Sequence, residues 1–255
     1  GTSGIGRACC QILAEQGANI IVTGRNEERG AQTLELIKKI GSEGFFFGHD
    51  ICSEDSWIDC IEFAKKSFDN IDILINNAGI VVGKYFHEHT AEEIEKTMMI
   101  NANAPMHVTT NFLSEMIERN TGHICNISSS ASLLANPKMS VYAASKWSVF
   151  SWSDSLRLEM KQLNKDIKVT TILPYYINTG MFDGVKSRIP ILDAEKTALT
   201  IIKAIEKNKK IITIPWWIYR FTRFGQTIMS VNFFDWFAGK VMGIYKTMED
   251  FKGRK

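Results

Sequence analysis

The chain has 255 residues, a length that fits one large domain or two small ones. Its 30 Lys and Arg residues against 28 Asp and Glu residues give a net charge of +2, which argues against a nucleic-acid partner. Hydrophobic residues make up 45% of the chain, which excludes disordered and collagen-like proteins. The five cysteines form no C-x-x-C pair, so we expect no metal site and a reducing, cytoplasmic setting.

Short apolar runs alternate along the chain with segments of helical period. Six strands are predicted, at residues 18–23, 44–48, 71–75, 122–127, 167–173 and 211–214. Six helices are predicted, at residues 5–16, 27–40, 54–68, 90–118, 141–163 and 194–208, and Ser53, Thr90 and Asp193 are typical N-caps for three of them. This alternation predicts an α/β fold in which helices cover both faces of a parallel sheet.

A glycine-rich loop opens the chain and is followed directly by a helical pattern. Gly4 and Gly6 allow the backbone to approach a phosphate, and the helix offers unpaired N–H groups and a positive dipole end. Taken alone, the pattern is equally compatible with an ordinary turn before a helix.

The strongest catalytic pattern is Tyr142-Ala-Ala-Ser-Lys146, whose i,i+4 spacing puts both functional side chains on one helical face. Ser129 lies 13 residues before Tyr142, at the end of an apolar strand, and Asn101 lies within a long helical segment. A lysine ammonium about 4 Å from the tyrosine hydroxyl, at an effective dielectric of about 20, stabilises the tyrosinate by about 4 kcal/mol. We therefore expect the pKa of Tyr142 to fall from about 10 to about 7, where a proton transfers in either direction.

Together these motifs resemble those of the short-chain dehydrogenase/reductase family over about residues 1–185. Gly4 and Gly6 match the last two glycines of the family's T-G-x-x-x-G-x-G signature, whereas its first Thr-Gly and the preceding strand are absent. The resemblance implies a Rossmann-type, doubly wound sheet of order 3-2-1-4-5-6 whose first strand is missing from this sequence. We therefore interpret the sequence as N-terminally truncated, with about 9–10 Å between the neighbours of that strand.

The resemblance also implies a nicotinamide cofactor, and Arg25 favours NADP(H). Arg25 stands where NAD-binding folds place an acidic residue, and it suits the 2′-phosphate of NADP, although a solvated loop residue is the alternative. Asp50 would bind the adenine amino group, with a turn residue as the alternative. The predicted cofactor-binding residues are Thr2, Ser3, Gly4, Ile5, Gly6, Arg25, Asp50, Ile51, Asn77, Ala78, Gly79, Tyr142, Lys146, Pro174, Ile177 and Thr179.

By the same resemblance, the predicted catalytic residues are Asn101, Ser129, Tyr142 and Lys146. Ser129 would bind the substrate oxygen, Lys146 would bind the nicotinamide ribose, and Asn101 would position a water next to Lys146. In the loop after the sixth strand of the family, Tyr175 replaces the usual glycine and is expected to narrow the pocket.

Residues 216–251 differ from the rest of the chain, with 11 of the 27 aromatic residues and no strand–helix alternation. The longest uncharged run within this segment, 224–234, has 11 residues, fewer than the roughly 20 needed to cross a bilayer. Three interpretations stay open: core packing, a lid over a hydrophobic substrate, or contact with a membrane surface. With the Ile-Asn-Thr-Gly-Met-Phe stretch at 177–182, the segment more narrowly resembles membrane-associated retinol and 17-beta-hydroxysteroid dehydrogenases.

The resulting hypothesis is a cytoplasmic NADP(H)-dependent oxidoreductase that transfers a hydride between nicotinamide and a small, hydrophobic carbonyl or alcohol substrate. The alternative is a catalytically silent NADP-sensing or lipid-binding module on the same fold. Residues 1–215 would form the dinucleotide-binding and catalytic domain, and 216–255 a helical extension of it. By analogy with the family we expect a homodimer or homotetramer formed through the helices at 91–118 and 141–163.

Overall fold

The structure is a computed structural model that describes residues 1–253, with Glu54 described by its backbone only. The central strands are β1 (Ile20–Gly24), β2 (Gly44–Gly48), β3 (Ile73–Asn76), β4 (Gly122–Ile127), β5 (Ile167–Pro174) and β6 (Ile211–Ile214). The α-helices are α1 (Gly4–Glu15), α2 (Glu27–Ile40), α3 (Glu54–Ser67), α4 (Ala91–Met98), α5 (Ala104–Arg119), α6 (Ser140–Gln162), α7 (Ala194–Glu206), α8 (Trp217–Ile228) and α9 (Val231–Trp236).

The strands form two parallel ladders that lie on either side of a gap. Strand β1 pairs with β2, while β3, β4, β5 and β6 form the second ladder in that order. In the described part of the chain, β1 and β3 share no ladder, and a cavity borders both strands between Ile21 and Leu74. The strand order is therefore the predicted doubly wound one, with the gap at its centre.

Helices cover both faces of the sheet, as the alternating pattern predicts. On one face, Cys9 of α1 and Ile201 of α7 pack in a cluster with Ile172 of β5. On the other face, Trp57 of α3 and Phe112 of α5 pack with the β4 strand and with α6. The Rossmann-type fold class is thus confirmed.

Side-chain caps explain where several helices begin. The side chains of Ser53, Thr90 and Asp193 accept hydrogen bonds from backbone N–H groups of the first turns of α3, α4 and α7, as predicted. Thr90 and Glu93 form a reciprocal capping box. Gly41 ends α2 at φ 89°, a left-handed conformation that favours glycine.

The predicted long helix at 90–118 is interrupted in its middle. A π-helical turn, Met99–Asn103, separates α4 from α5, and Pro105 follows within the first turn of α5. Proline cannot donate a helical hydrogen bond, which favours a break before it. The turn buries Asn101 inside the protein.

The C-terminal segment consists of short helices rather than a strand–helix unit. After α8 and α9 come a π-helical turn, Phe237–Val241, and a 3₁₀ turn, Ile244–Lys246. None of the helices in residues 1–253 combines the length and the apolar character needed to cross a bilayer. Residues 254 and 255, the end of the predicted extension, lie outside the described residues.

Candidate active site

A cavity of about 980 Å³ runs along the carboxyl ends of the strands and continues into the gap between β1 and β3. This edge is where open α/β sheets bind ligands. Among the described residues, its lining includes every predicted site residue except Asp50 and Asn101. The predicted residues that line it are Thr2, Ser3, Gly4, Ile5, Gly6, Arg25, Ile51, Asn77, Ala78, Gly79, Ser129, Tyr142, Lys146, Pro174, Ile177 and Thr179.

Helix α6 presents Tyr142 and Lys146 to the inner part of this cavity. Both side chains are buried, and the Lys146 Nζ donates to the carbonyl of Ile127 at 3.0 Å. The same nitrogen lies 5.9 Å from the centre of the Tyr142 ring. Ser129 lies close enough to Tyr142 to act on its pKa, and the Ser129 Oγ accepts the N–H of Ala131 at 3.1 Å. Three residues that are separated in the sequence therefore meet at one point.

The electrostatics of this point differ from the sequence-based expectation. Burial raises the pKa of Tyr142 to about 12, and the nearby Ser129 hydroxyl only partly opposes that rise. Burial also lowers the pKa of Lys146 to about 8. The expected fall of the Tyr142 pKa to about 7 is therefore wrong. Burial removes water from both side chains, and this destabilises the charged form of each, the tyrosinate and the lysine ammonium.

Asn101 lies behind the predicted catalytic residues and does not line the cavity. Its Oδ1 accepts the N–H of Ile80 at 2.8 Å, and its Nδ2 donates to the Ile80 carbonyl at 2.9 Å and to Ser145 Oγ at 3.0 Å. A Cβ added at Gly79 would lie 3.4 Å from both Asn101 Oδ1 and Lys146 Nζ. The Asn101 side chain thus holds the 78–80 loop beside the lysine, and the water predicted next to Lys146 stays a prediction.

The glycine loop leaves no room for side chains at Gly4 and Gly6. Gly4 has φ +55°, and a Cβ there would lie 3.0 Å from the methyl group of Thr179. A Cβ at Gly6 would lie 2.8 Å from Asn77 Nδ2. The first turn of α1 begins at Gly4 and carries no acidic side chain, so its N–H groups can meet an anion. These residues fit a nicotinamide dinucleotide.

The two residues predicted at the adenosine end have different surroundings. Arg25 is exposed at the end of β1 and borders the cavity, next to Gly24, against which Thr2 packs. Asp50 is outside the lining, and its Oδ1 accepts the N–H of Cys52 at 3.0 Å. That hydrogen bond is the main cause of the lowered pKa of Asp50. Asp50 therefore stabilises a turn, and its adenine contact stays a prediction.

The loop after β5 borders the cavity. Pro174, Ile177 and Thr179 line it. Tyr175, which stands at the family's glycine position, is buried with its ring centre 4.7 Å from that of Tyr176. Its hydroxyl is 2.9 Å from Ser187 Oγ. The Tyr175 side chain thus connects this loop to the segment that contains Ser187.

Sequence reasoning missed two polar residues of this site. Ser145 accepts a hydrogen bond from Asn101 and donates one to the Tyr142 carbonyl at 2.7 Å. Its position inside the Y-x-x-x-K motif is a signal from which the sequence could have predicted a role in the site. Asn136 borders the cavity, and its Nδ2 lies 3.0 Å from the Tyr176 hydroxyl and 2.9 Å from Thr247 Oγ1. Thr247 is 111 residues away, so no local pattern predicts this contact.

Comparison with known proteins agrees with this geometry. The family model described as short chain dehydrogenase matches residues 1–189. Short-chain dehydrogenase/reductase 3 of Homo sapiens is 30% identical over 259 residues, covering 100% of this chain and 85% of the relative. Epidermal retinol dehydrogenase 2 of Mus musculus is 31% identical and covers 99% and 83%, respectively.

Solved structures show the same fold at lower sequence identity. A short chain dehydrogenase/reductase from Burkholderia phymatum in complex with NAD has a TM-score of 0.82 at 22% identity, covering 89% of this chain and 90% of that one. A short-chain dehydrogenase from Sphingobium yanoikuyae in complex with NADPH has a TM-score of 0.77 at 23% identity, covering 90% and 94%.

The fold and the family match together define an oxidoreductase built on a Rossmann-type sheet. The chain belongs to the short-chain dehydrogenase/reductase family, and its similarity to curated relatives includes the retinol dehydrogenase branch.

Proposed function

We propose that the chain is an NADP(H)-dependent oxidoreductase that interconverts a hydrophobic carbonyl compound and its alcohol. The observation that carries the proposal is the meeting of Ser129, Tyr142 and Lys146 inside a cavity that also contains a glycine loop at a helix N-terminus. Retinol dehydrogenase relatives support this reaction class. The substrate class is a lipid, steroid, retinoid or acyl-like carbonyl or alcohol.

The charges of the site support proton donation by Tyr142. With its pKa raised to about 12, Tyr142 is protonated at neutral pH and can give its proton to a carbonyl oxygen during reduction. Ser129 would hold the same oxygen against Tyr142. Lys146 would hold the ribose hydroxyls of the cofactor, and its ammonium would stabilise the tyrosinate left after proton transfer. Bound NADPH would supply the hydride.

Arg25 supports a preference for NADP(H) over NAD(H). Its guanidinium is exposed at the end of β1, on the border of the cavity, where it can pair with a 2′-phosphate. The related structures bind NAD in one case and NADPH in another, so the proposal rests on Arg25 itself.

The substrate side of the cavity supports a hydrophobic ligand. Beyond the catalytic residues, its lining is mostly apolar and aromatic: Leu134, Met139, Met181, Phe182, Ile189, Trp217, Phe221, Phe237 and Met242. Such walls bind apolar groups, while the few polar atoms at the inner end orient the reacting oxygen.

The experiment that tests the proposed function follows NADPH oxidation as carbonyl compounds are added. We expect turnover with retinal, a ketosteroid and long-chain aldehydes, and the specificity constant should rise with apolar length. Tight NADPH binding with no turnover on any compound would instead favour the NADP-sensing module. Failure to bind NADPH at all would favour a lipid-binding protein.

We also propose a homodimer or homotetramer in the cytoplasm, peripheral to a membrane. Helices α5 and α6 would form the subunit contact, by analogy with the family, and Leu158 of α6 is half exposed on that surface. Light scattering at micromolar concentration tests the assembly, and a monomer would reject it.

A further inference from the structure

Residues 249–253 run along the loop that follows β5, and we call these five residues the strap. The Lys252 N–H donates a hydrogen bond to the Asp183 carbonyl at 2.8 Å. The Lys186 ammonium pairs with the Asp250 carboxylate at 2.6 Å. A backbone hydrogen bond and an ion pair thus hold the strap against this loop.

Two glycines leave room for the strap. A Cβ added at Gly83, in the loop after β3, would overlap the ring of Phe251. Gly184 has φ +88°, and a Cβ there would overlap the Asp250 carbonyl oxygen. A larger residue at either position would push the strap out of its place. The path of the strap therefore depends on two positions that are far apart in the sequence.

A small cleft of about 390 Å³ lies beside the strap. The residues that line it come from the strap, the start of α2, the loop after β5 and the glycine loop: Ser3, Arg29, Thr179, Gly180, Asp183, Lys252 and Gly253. Ser3 and Thr179 also line the catalytic cavity, and Thr179 packs against the Gly4 position. The strap thus reaches the part of the glycine loop at which the cofactor phosphates are expected.

The charges of the cleft favour an anion. Its lining contains two cations, Lys252 and Arg29, and among the described residues one acidic side chain, Asp183. Within residues 1–253, no carboxylate forms an ion pair with Lys252 or Arg29, whereas Lys186 is paired with Asp250. The strap therefore adds a positive charge to the cleft that no acidic partner neutralises.

The pyrophosphate of a dinucleotide needs more positive charge than the glycine loop supplies. Its two phosphates carry about two negative charges, whereas the N-terminus of α1 offers about half a positive charge. Arg7 is the one basic residue of α1, and its guanidinium donates to the Thr2 carbonyl at 2.8 Å and to Thr33 Oγ1 at 3.1 Å. An ammonium brought from another part of the chain would therefore stabilise the bound cofactor.

We propose that Lys252 is a cofactor-binding residue whose ammonium the strap brings to the pyrophosphate beside Ser3. NADPH and NADH carry the same pyrophosphate, so Lys252 should strengthen the binding of both. Arg25, in contrast, is proposed to act on the 2′-phosphate, which only NADPH carries. The inference rests on the proposed function, because its ligand is the nicotinamide dinucleotide.

The test is fluorescence titration of the full chain with NADPH and with NADH at low salt. Lys252→Glu should raise both dissociation constants by about tenfold and Lys252→Gln by about two- to fivefold, as expected for exposed ion pairs. Both effects should shrink in high salt, because exposed charges are screened. Lys246→Glu is the matched control, since Lys246 is an exposed lysine of the same segment that lines neither cavity. It changes the net charge equally, and both constants should stay within about twofold of the parent.

A second variant tests whether the strap carries Lys252 to the cofactor. Gly83→Ala pushes the Phe251 ring aside without changing any charge. It should raise both dissociation constants about as far as Lys252→Gln does. The double variant should bind no more weakly than Gly83→Ala alone, because the ammonium has then already left the site.

Unchanged dissociation constants in Lys252→Glu would overturn the inference and leave the proposed function standing. An equal rise in Lys246→Glu would overturn it as well, since the effect would then follow net charge rather than position. A rise for NADPH alone would assign Lys252 to the 2′-phosphate and not to the pyrophosphate. Additive effects of Gly83→Ala and Lys252→Gln would overturn the role of the strap. If the parent binds neither cofactor, the proposed function and this inference fall together.

Discussion

The cofactor side and the substrate side of the cavity are built in different ways. On the cofactor side, the contributing residues come in short stretches, such as residues 1–6 at the start of α1 and the turn at 76–79 at the end of β3. On the substrate side, distant segments are clamped together: Asn136 reaches Thr247, and the Lys252 N–H donates to the Asp183 carbonyl at 2.8 Å. The comparison teaches that the residues proposed for the reaction are placed by local motifs, whereas the residues proposed to select the substrate are placed by long-range packing of the C-terminal segment.

Removing the proposed proton donor, Tyr142, should have the largest effect on turnover. Tyr142→Phe should reduce turnover by about 10²–10⁴-fold, because no other group would donate the proton at that position. NADPH affinity should change little, since the ring stays in place. Tyr175→Phe is the matched control: it also loses a buried hydroxyl, but one that pairs with Ser187, and it should stay within about tenfold of the parent. Activity of Tyr142→Phe close to that of the parent would remove Tyr142 from the reaction.

Exchanging the charge at the adenosine end should invert cofactor preference. NADPH should bind at least about tenfold more tightly than NADH, because a hydrogen bond to a charged phosphate contributes about 1.5–3 kcal/mol. Arg25→Asp should reverse this order, while Lys39→Asp, an equal change of charge on exposed α2 surface, should not. Calorimetric titration with each cofactor measures the two dissociation constants in the parent and in both variants. Identical curves for the two cofactors in the parent protein would exclude Arg25 from the site.

The lowered pKa of Lys146 predicts a pH dependence of cofactor binding. If the ammonium holds the cofactor, binding favours the protonated form, so the dissociation constant should be flat below pH about 8 and rise above it, by up to about tenfold per pH unit. Fluorescence titration between pH 7 and pH 9.5 measures the curve. Lys146→Met should bind more weakly and should lack the inflection. An inflection that persists in Lys146→Met would assign the titration to another group.

Loss of the hydrogen bonds of Asn136 should change the substrate side of the cavity without changing cofactor binding. Asn136→Ala removes two buried hydrogen bonds and should lower the free energy of unfolding by about 1–3 kcal/mol. It should also raise KM for long apolar carbonyls a few-fold and leave NADPH affinity unchanged. The Thr227 hydroxyl bonds only within α8, so Thr227→Val is the control. A parallel rise in the NADPH dissociation constant would show that the two sides are not independent.

The same contrast explains what the sequence predicts well. The strands and most helices come within a few residues of their predicted positions, because hydrophobic period and caps such as Thr90 are local signals. Ser129, Tyr142 and Lys146 meet as predicted because strand ends and one helical face are enough to place them. The predicted pKa of Tyr142 is wrong because the pKa depends on how deeply the side chain is buried. The spacing of residues in the sequence does not give that depth. The Asn136–Thr247 contact likewise depends on tertiary packing, whereas the Asp50–Cys52 hydrogen bond is local and agrees with the turn that the sequence offered as the alternative for Asp50.

The most direct test of the central claim follows the hydride itself. The chain is incubated with NADPH that carries deuterium at the transferable position and with an apolar aldehyde or ketone, and the product alcohol is analysed by mass spectrometry. We predict one deuterium on the carbinol carbon of the product, with its appearance abolished by Tyr142→Phe. Tight binding of the labelled cofactor without deuterium in any product would contradict the assignment and leave the protein as a nucleotide-binding module.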